Sequence, residues 1–195
     1  VYRTAVPKDR LSADPDWQAG KKEGDHEAAA RFAENNWDEG KTEKVLSLVD
    51  NPADVVFISQ PSTSGKNVIP LALAEKLAKD TGGEAINGRE LFDVLHGQES
   101  KTIGPPERMF YERIYEPVSI EEIVGKIGDR EVIVVDDIYT TGSSALALIN
   151  SLREAGANVK GHVGYFGDVR LAVKETDIAR LQTAFDAARM KISAA

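Results

Sequence analysis

Four consecutive apolar β-formers, Val132 to Val135, run straight into two adjacent carboxylates, Asp136 and Asp137, and then into a hydroxyl-rich turn that opens a helix. An unbroken apolar run of this length suits a strand covered on both faces, the condition of a central strand in a parallel sheet. The following segment SSALALINSLREAGA carries an apolar face through Ala145, Leu148, Ile149 and Leu152. The same order recurs on either side. DVVFIS reads as a buried strand and KNVIPLALAEKLAKDTGG as a helix closed by Gly82 and Gly83; a weaker strand follows at EAIN. Ser119 and Glu122 have the spacing of a helix start, and NVKGHVGYFG reads as a last strand. Strands alternating with helices predict an α/β fold, an open parallel twisted sheet flanked by helices.

Residues 1–52 differ. DHEAAARFAENN and GKTEKVLSLVDN have helical spacing through Ala29, Phe32 and Ala33 and through Val45, Leu48 and Val49, while VYRTAV suits a short strand. They are expected to form a peripheral helical region packed on or hooding an α/β core of residues 53–195. Within that core, LHGQESKTIGPPERM has no apolar periodicity and two adjacent prolines. A long loop or hairpin is expected there, a flap over about 96–115. A C-terminal amphipathic helix is expected over about 177–190, through Ile178, Leu181, Phe185 and Ala188.

Composition narrows the partners. The 195 residues carry a net charge of −8, and no window is dominated by Lys and Arg, which argues against nucleic acid. There is no cysteine, so disulfides and thiolate chemistry are excluded. The absence of an apolar run of spanning length argues against a membrane, and a cytoplasmic location is expected. His26, His96 and His162 are scattered without the spacing of metal ligands. SGKN fails as a nucleotide P-loop, because Gln60 stands where glycine is required and Asn67 where a hydroxyl is required.

In an open parallel sheet, ligands bind at the carboxyl ends of strands. Asp136 and Asp137 fall there, and paired acids repel unless something is bound beside them. The turn TTGSS after them joins a glycine, four hydroxyls and the N–H groups of a helix start, a suitable cradle for phosphate. Acids facing hydroxyl donors next to a phosphate cradle imply a sugar phosphate.

VIVVDDIYTTGSSA resembles the signature of the type I phosphoribosyltransferases. The resemblance implies that Asp136 and Asp137 hold the ribose hydroxyls of phosphoribosyl pyrophosphate (PRPP), and that Thr140, Thr141, Gly142, Ser143 and Ser144 hold its 5′-phosphate. DVVFISQPSTSGKNVIPLALAEKLA is similar to the family's first strand, pyrophosphate loop and helix. Ser62, Thr63, Ser64, Gly65 and Lys66 are then the pyrophosphate-binding candidates, and Lys101 and Arg108 on the flap join the acid pair as catalytic candidates. The likeness covers about residues 53–168. It implies transfer of the phosphoribosyl group to a nitrogenous base or amine, with Mg²⁺ held mainly by the substrate and water, and it leaves room for a homodimer. Regulatory members of the family keep the same motif, so a PRPP or nucleotide sensor within a larger protein is the alternative. Thr140 stands where enzymes of 6-oxopurines have Asp, which argues against hypoxanthine or guanine as acceptor. Tyr165 and Phe166 are placed to stack on a base, although core packing is the preferred reading.

Overall fold

The structure, a computed structural model, describes residues 2–4, 8–95, 113–139, 142–167 and 183. In chain order the elements are β1 (Tyr2–Thr4), α1 (Lys8–Ala13), α2 (Pro15–Lys22), α3 (His26–Asn36), α4 (Glu39–Leu46), β2 (Val55–Ser59), α5 (Ile69–Thr81), β3 (Glu84–Ile86), β4 (Phe92–Leu95), β5 (Ile114–Pro117), α6 (Ile120–Ile127), β6 (Glu131–Tyr139), α7 (Ser143–Glu154) and β7 (Asn158–Gly167). Short side chains start several of the helices. Asp14, Asp25 and Asp38 accept hydrogen bonds from the backbone N–H groups of Trp17, Ala28 and Lys41, and Ser119 accepts from that of Glu122.

Five strands form one parallel sheet in the order β1, β7, β6, β2, β3, and β4 pairs with β5 antiparallel. The α/β expectation is met: the sheet is open, parallel and flanked by helices. After β2 the chain crosses through α5 to β3 on one side. After β6 it crosses through α7 to β7 on the other. The β2/β6 boundary is thus where crossovers depart in opposite directions and a crevice opens at the carboxyl ends. Ser59 is level with Val135, so the loop after Gln60 and the segment after Asp136 leave the sheet side by side.

Strand alternation divides the interior in two. Val55, Phe57, Ile133, Val135, Val163 and Tyr165 pack with residues of α1 to α5 on one face, and Val56, Ile58, Val132 and Val134 pack with α6, α7, Phe92 and Tyr115 on the other. The first fifty residues contribute directly to this interior, through Trp17, Phe32, Trp37 and Val45. Phe32 lies 4.9 Å from the Trp17 ring and meets the Tyr165 ring edge-on at 5.1 Å. Tyr165, 2% exposed, is a core residue here, as preferred over base stacking. The Phe166 side chain lies outside the described residues, as do residues 96–112 of the expected flap and the helix expected over about 177–190 apart from Thr183, which is helical. The described parts flanking that flap are antiparallel strands, with Leu95 opposite Ile114.

At the opposite end of the sheet, the Glu131 carboxylate accepts from the N–H groups of Asp50 and Asn51 at 2.7 and 3.0 Å, and Lys160 bonds its other oxygen at 2.7 Å. This ties the segment before β2 to β6 and β7. The Lys160 bond and then the Asn51 N–H hold Glu131 at about 2, below its ordinary 4.5. A carboxylate lowered by folding stabilises the fold above its unfolded value, and that contribution is lost as pH falls through the folded one. Glu131→Gln is therefore expected to flatten the loss of stability between about pH 4.5 and 2 in urea melts taken at a series of pH values. Phe32→Ala, which empties an aromatic position between the first layer and the sheet, is expected to cost about 3–5 kcal/mol in urea unfolding.

Candidate functional site

β6 delivers Asp136 and Asp137 to the crevice, as the sequence pattern expects, and the rest of the fold gives the two acids different surroundings. Asp137 is 4% exposed. Its Oδ2 accepts from the Lys21 ammonium, at the C-terminal end of α2, and from Asn67 Nδ2 at 3.0 Å. Its Oδ1 accepts from the Ile138 N–H at 2.7 Å. The Asp136 carboxylate curls back onto the Asp137 N–H at 2.8 Å, which draws the two acids together.

Charge follows from this geometry. Burial pushes Asp136 well above the usual carboxylate range, and the neighbouring charge of Asp137 pushes it further. Burial works against ionisation of Asp137 too, but the charge and hydrogen bond of Lys21, with help from Asp136 and Asn67, outweigh it and hold that carboxyl below its ordinary value. Asp136 is thus biased toward its neutral form and Asp137 toward its charged form beside the Lys21 ammonium.

Beside the acids, α7 begins without a side-chain cap. Its N-cap, Gly142, has φ 78° and ψ 0°, and a Cβ at that position would run into the Tyr139 ring. Only glycine adopts this left-handed backbone without strain. Ser143 and Ser144 occupy the first turn of the helix, half-buried, where N–H groups and the helix dipole favour an anion. Thr140 and Thr141 lie outside the described residues.

Across the crevice, half-buried Ser62 and exposed Thr63, Ser64, Gly65 and Lys66 form a turn between β2 and α5, in which the Gly65 N–H donates to Ser62 O at 3.3 Å. The Arg89 guanidinium lies over Gly65 and donates to Ser62 O at 2.8 Å. An open groove adjoins this turn, lined in part by His26, Gln60, Ser62, Asn67 and Arg89. Lys101 and Arg108, the cations expected from the flap, lie outside the described residues. Acid pair, helix start and pyrophosphate-loop candidates thus converge on one edge of the sheet.

Sequence reasoning missed five participants: Lys21, Asn67, Gln60, Arg89 and Tyr115. Gln60 is 6% exposed; its amide donates to the Tyr115 hydroxyl and, at 3.4 Å, to Ser144 O, joining β5 to the start of α7. Its Oε1 is buried without a hydrogen-bond partner among the described residues. Burial raises the Tyr115 phenol; Arg113 opposes the rise and Asp136 adds to it, which places all three in one electrostatic neighbourhood. A signal existed for Gln60 alone, a polar residue directly after an unbroken apolar strand.

A parallel α/β fold with an acid pair and a helix start at its switch point places these residues where open α/β sheets bind ligands. No family model matches the chain. It is similar to orotate phosphoribosyltransferase of Halobacterium salinarum, 33% identical over 96 residues, covering 48% of this chain and 53% of that protein. The same enzyme of Methanopyrus kandleri is 35% identical over 82 residues, covering 42% and 45%. The chain thus spans about half the length of the relatives it matches. Among solved structures, purine phosphoribosyltransferase from Pyrococcus horikoshii superposes with a TM-score of 0.38 at 17% identity over 73% of this chain and 82% of that one, a likeness too distant to bear on the fold. The curated relatives it matches over that half are named orotate phosphoribosyltransferases, and the chain is similar to them there.

Gly142→Val is expected to destabilise the fold by about 1–3 kcal/mol through backbone strain alone. It should also abolish binding of inorganic phosphate, and urea unfolding with phosphate titration calorimetry checks both.

Proposed function

We propose that the protein transfers the 5-phosphoribosyl group of PRPP to a nitrogenous base or amine and releases pyrophosphate. The observation that supports this best is the meeting of the acid pair, the uncapped start of α7 and the Ser62 to Lys66 turn at the β2/β6 switch point. In the proposed reaction a bond forms from the acceptor nitrogen to C1 of the ribose as the bond from C1 to the pyrophosphate oxygen breaks. Positive charge develops on the ring and negative charge leaves with the pyrophosphate.

Positioning and electrostatics supply the catalysis. The 5′-phosphate is assigned to Thr140, Thr141, Gly142, Ser143 and Ser144, the ribose hydroxyls to Asp136 and Asp137, and the leaving pyrophosphate to the 62–66 turn. Lys101 and Arg108 are proposed to close over the site and exclude water. Arg89 keeps the turn in shape from outside by its bond to Ser62 O.

The family implies Mg²⁺. Carboxylate and hydroxyl oxygens are the hard donors that this ion takes, and among the described residues no three His, Asp or Glu gather to hold a metal unaided. These residues fit an ion that would be held mainly by the substrate and water. Such an ion offsets the charge gathering on the pyrophosphate. Among the described residues no helix is long and apolar enough to cross a membrane. The partners proposed are PRPP and a small base or amine.

Pyrophosphate release measured with PRPP, Mg²⁺ and a panel of acceptors tests the proposal. Orotate is the first acceptor to try, from the names of the relatives. Release is expected with at least one acceptor other than hypoxanthine or guanine, and Asp136→Asn is expected to lower kcat/KM by about 10²–10³-fold, the scale of losing one positioned electrostatic group. PRPP binding without release for any acceptor would assign the chain as a sensor instead.

A further inference from the structure

Lys21 lies 116 residues from Asp137 in sequence, in a helix for which the fold alone requires no basic residue, yet its ammonium is seated on that acid. An ordinary lysine in the last turn of a surface helix extends into water. Here the side chain is only 25% exposed, and its ammonium sits 4.9 Å from the centroid of the buried Trp17 ring. The helix presenting it is held closely. At Gly20 a Cβ would stand 2.7 Å from Ile69 and 2.9 Å from Ala29, so α2 lies directly against α3 and α5 only because that residue has no side chain. Gly20 O also accepts from the Val68 N–H at 3.1 Å, which ties α2 to the segment that carries Asn67.

Counting acceptors gives Lys21 a purpose. Oδ2 of Asp137 is taken by Lys21 and Asn67, and Oδ1 by the Ile138 N–H, so a ribose diol finds its open acceptor positions on Asp136 and on the remaining side of Asp137 Oδ1. Hydroxyl groups are neutral and do not offset a buried negative charge; an ammonium does. We infer that Lys21 is a positioning residue of the phosphoribosyl site, supplying the counter-charge and hydrogen bond that hold the Asp137 carboxylate in place for the ribose. The first helical layer is then part of the ligand site as well as of the core. This inference rests on the phosphoribosyltransferase reading.

The charged and titratable groups around the pair are Asp136 on the same strand and Lys21 from α2, with Tyr115 and Arg113 beside Asp136; Asn67 and Gln60 are neutral. With Lys21 present, Asp137 stays ionised below the usual carboxylate range, so ligand binding holds until pH falls through that low value. Without Lys21, burial acts unopposed and the acid limb moves to higher pH.

The test is PRPP titration calorimetry with Mg²⁺ over a pH series for the wild type, Lys21→Met and Lys21→Arg. Carboxyl ¹³C NMR of Asp137 in the ligand-free proteins accompanies it. The expected result is an acid limb raised by about one to three pH units in Lys21→Met, the usual effect of one close opposite charge, and restored by Lys21→Arg. The Asp137 carboxyl resonance should shift in parallel. If Lys21→Met does not fold, Lys21→Gln keeps a hydrogen-bond donor without the charge and takes its place. PRPP binding with an unmoved acid limb, or weakened equally at every pH, would overturn the inference and leave the phosphoribosyltransferase reading standing. Failure of the wild type to bind PRPP overturns that reading, and the inference falls with it.

Discussion

A buried negative charge at the end of β6 is the constraint around which the site is arranged. Taking a carboxylate out of water costs several kcal/mol unless a counter-charge and hydrogen bonds offset it, and here two carboxyls are adjacent. The protein meets the cost in two ways. Asp136 is pushed toward its neutral form, and Asp137 keeps its charge through Lys21, Asn67 and the Ile138 N–H. Each of these partners comes from a different part of the chain. The acid pair therefore draws together α2, the loop before α5 and the end of β6.

The sheet order explains why those parts meet. Because β2 and β6 are neighbours whose crossovers leave in opposite directions, the loop from 60 to 67 and the start of α7 face each other across one crevice. α2 reaches it from the face that carries Trp17, Phe32 and Tyr165, and β5 reaches it from the other face through Tyr115 and Gln60. Both layers of the core thus touch the candidate site. A site built this way couples its charge state to the packing of helices far away in sequence.

Much of the fold was legible because it rests on local patterns. The apolar run at Val132 to Val135, the helical spacing through Ala145, Leu148 and Leu152, and the capping residue Ser119 all act within one element. The place of the acid pair at a strand end was legible for the same reason, as was the need for glycine at 142. Lys21 was not. GKKEG reads as an ordinary charged helix end, and nothing in its composition separates the lysine that enters the crevice from its neighbour Lys22.

The sequence by itself determined the strands β2, β3, β6 and β7, the helices that follow β2 and β6, that these strands run parallel, and that two acids and a hydroxyl-rich turn stand at one strand end, because hydrophobic period and turn residues act over a few neighbouring positions. Only the tertiary structure decided the order of strands, the passage of the first helices into the core, and the unequal fates of Asp136 and Asp137. Those depend on contacts between residues as far apart as Lys21 and Asp137, and the charge of a buried group is set by whatever the fold brings within a few ångströms of it.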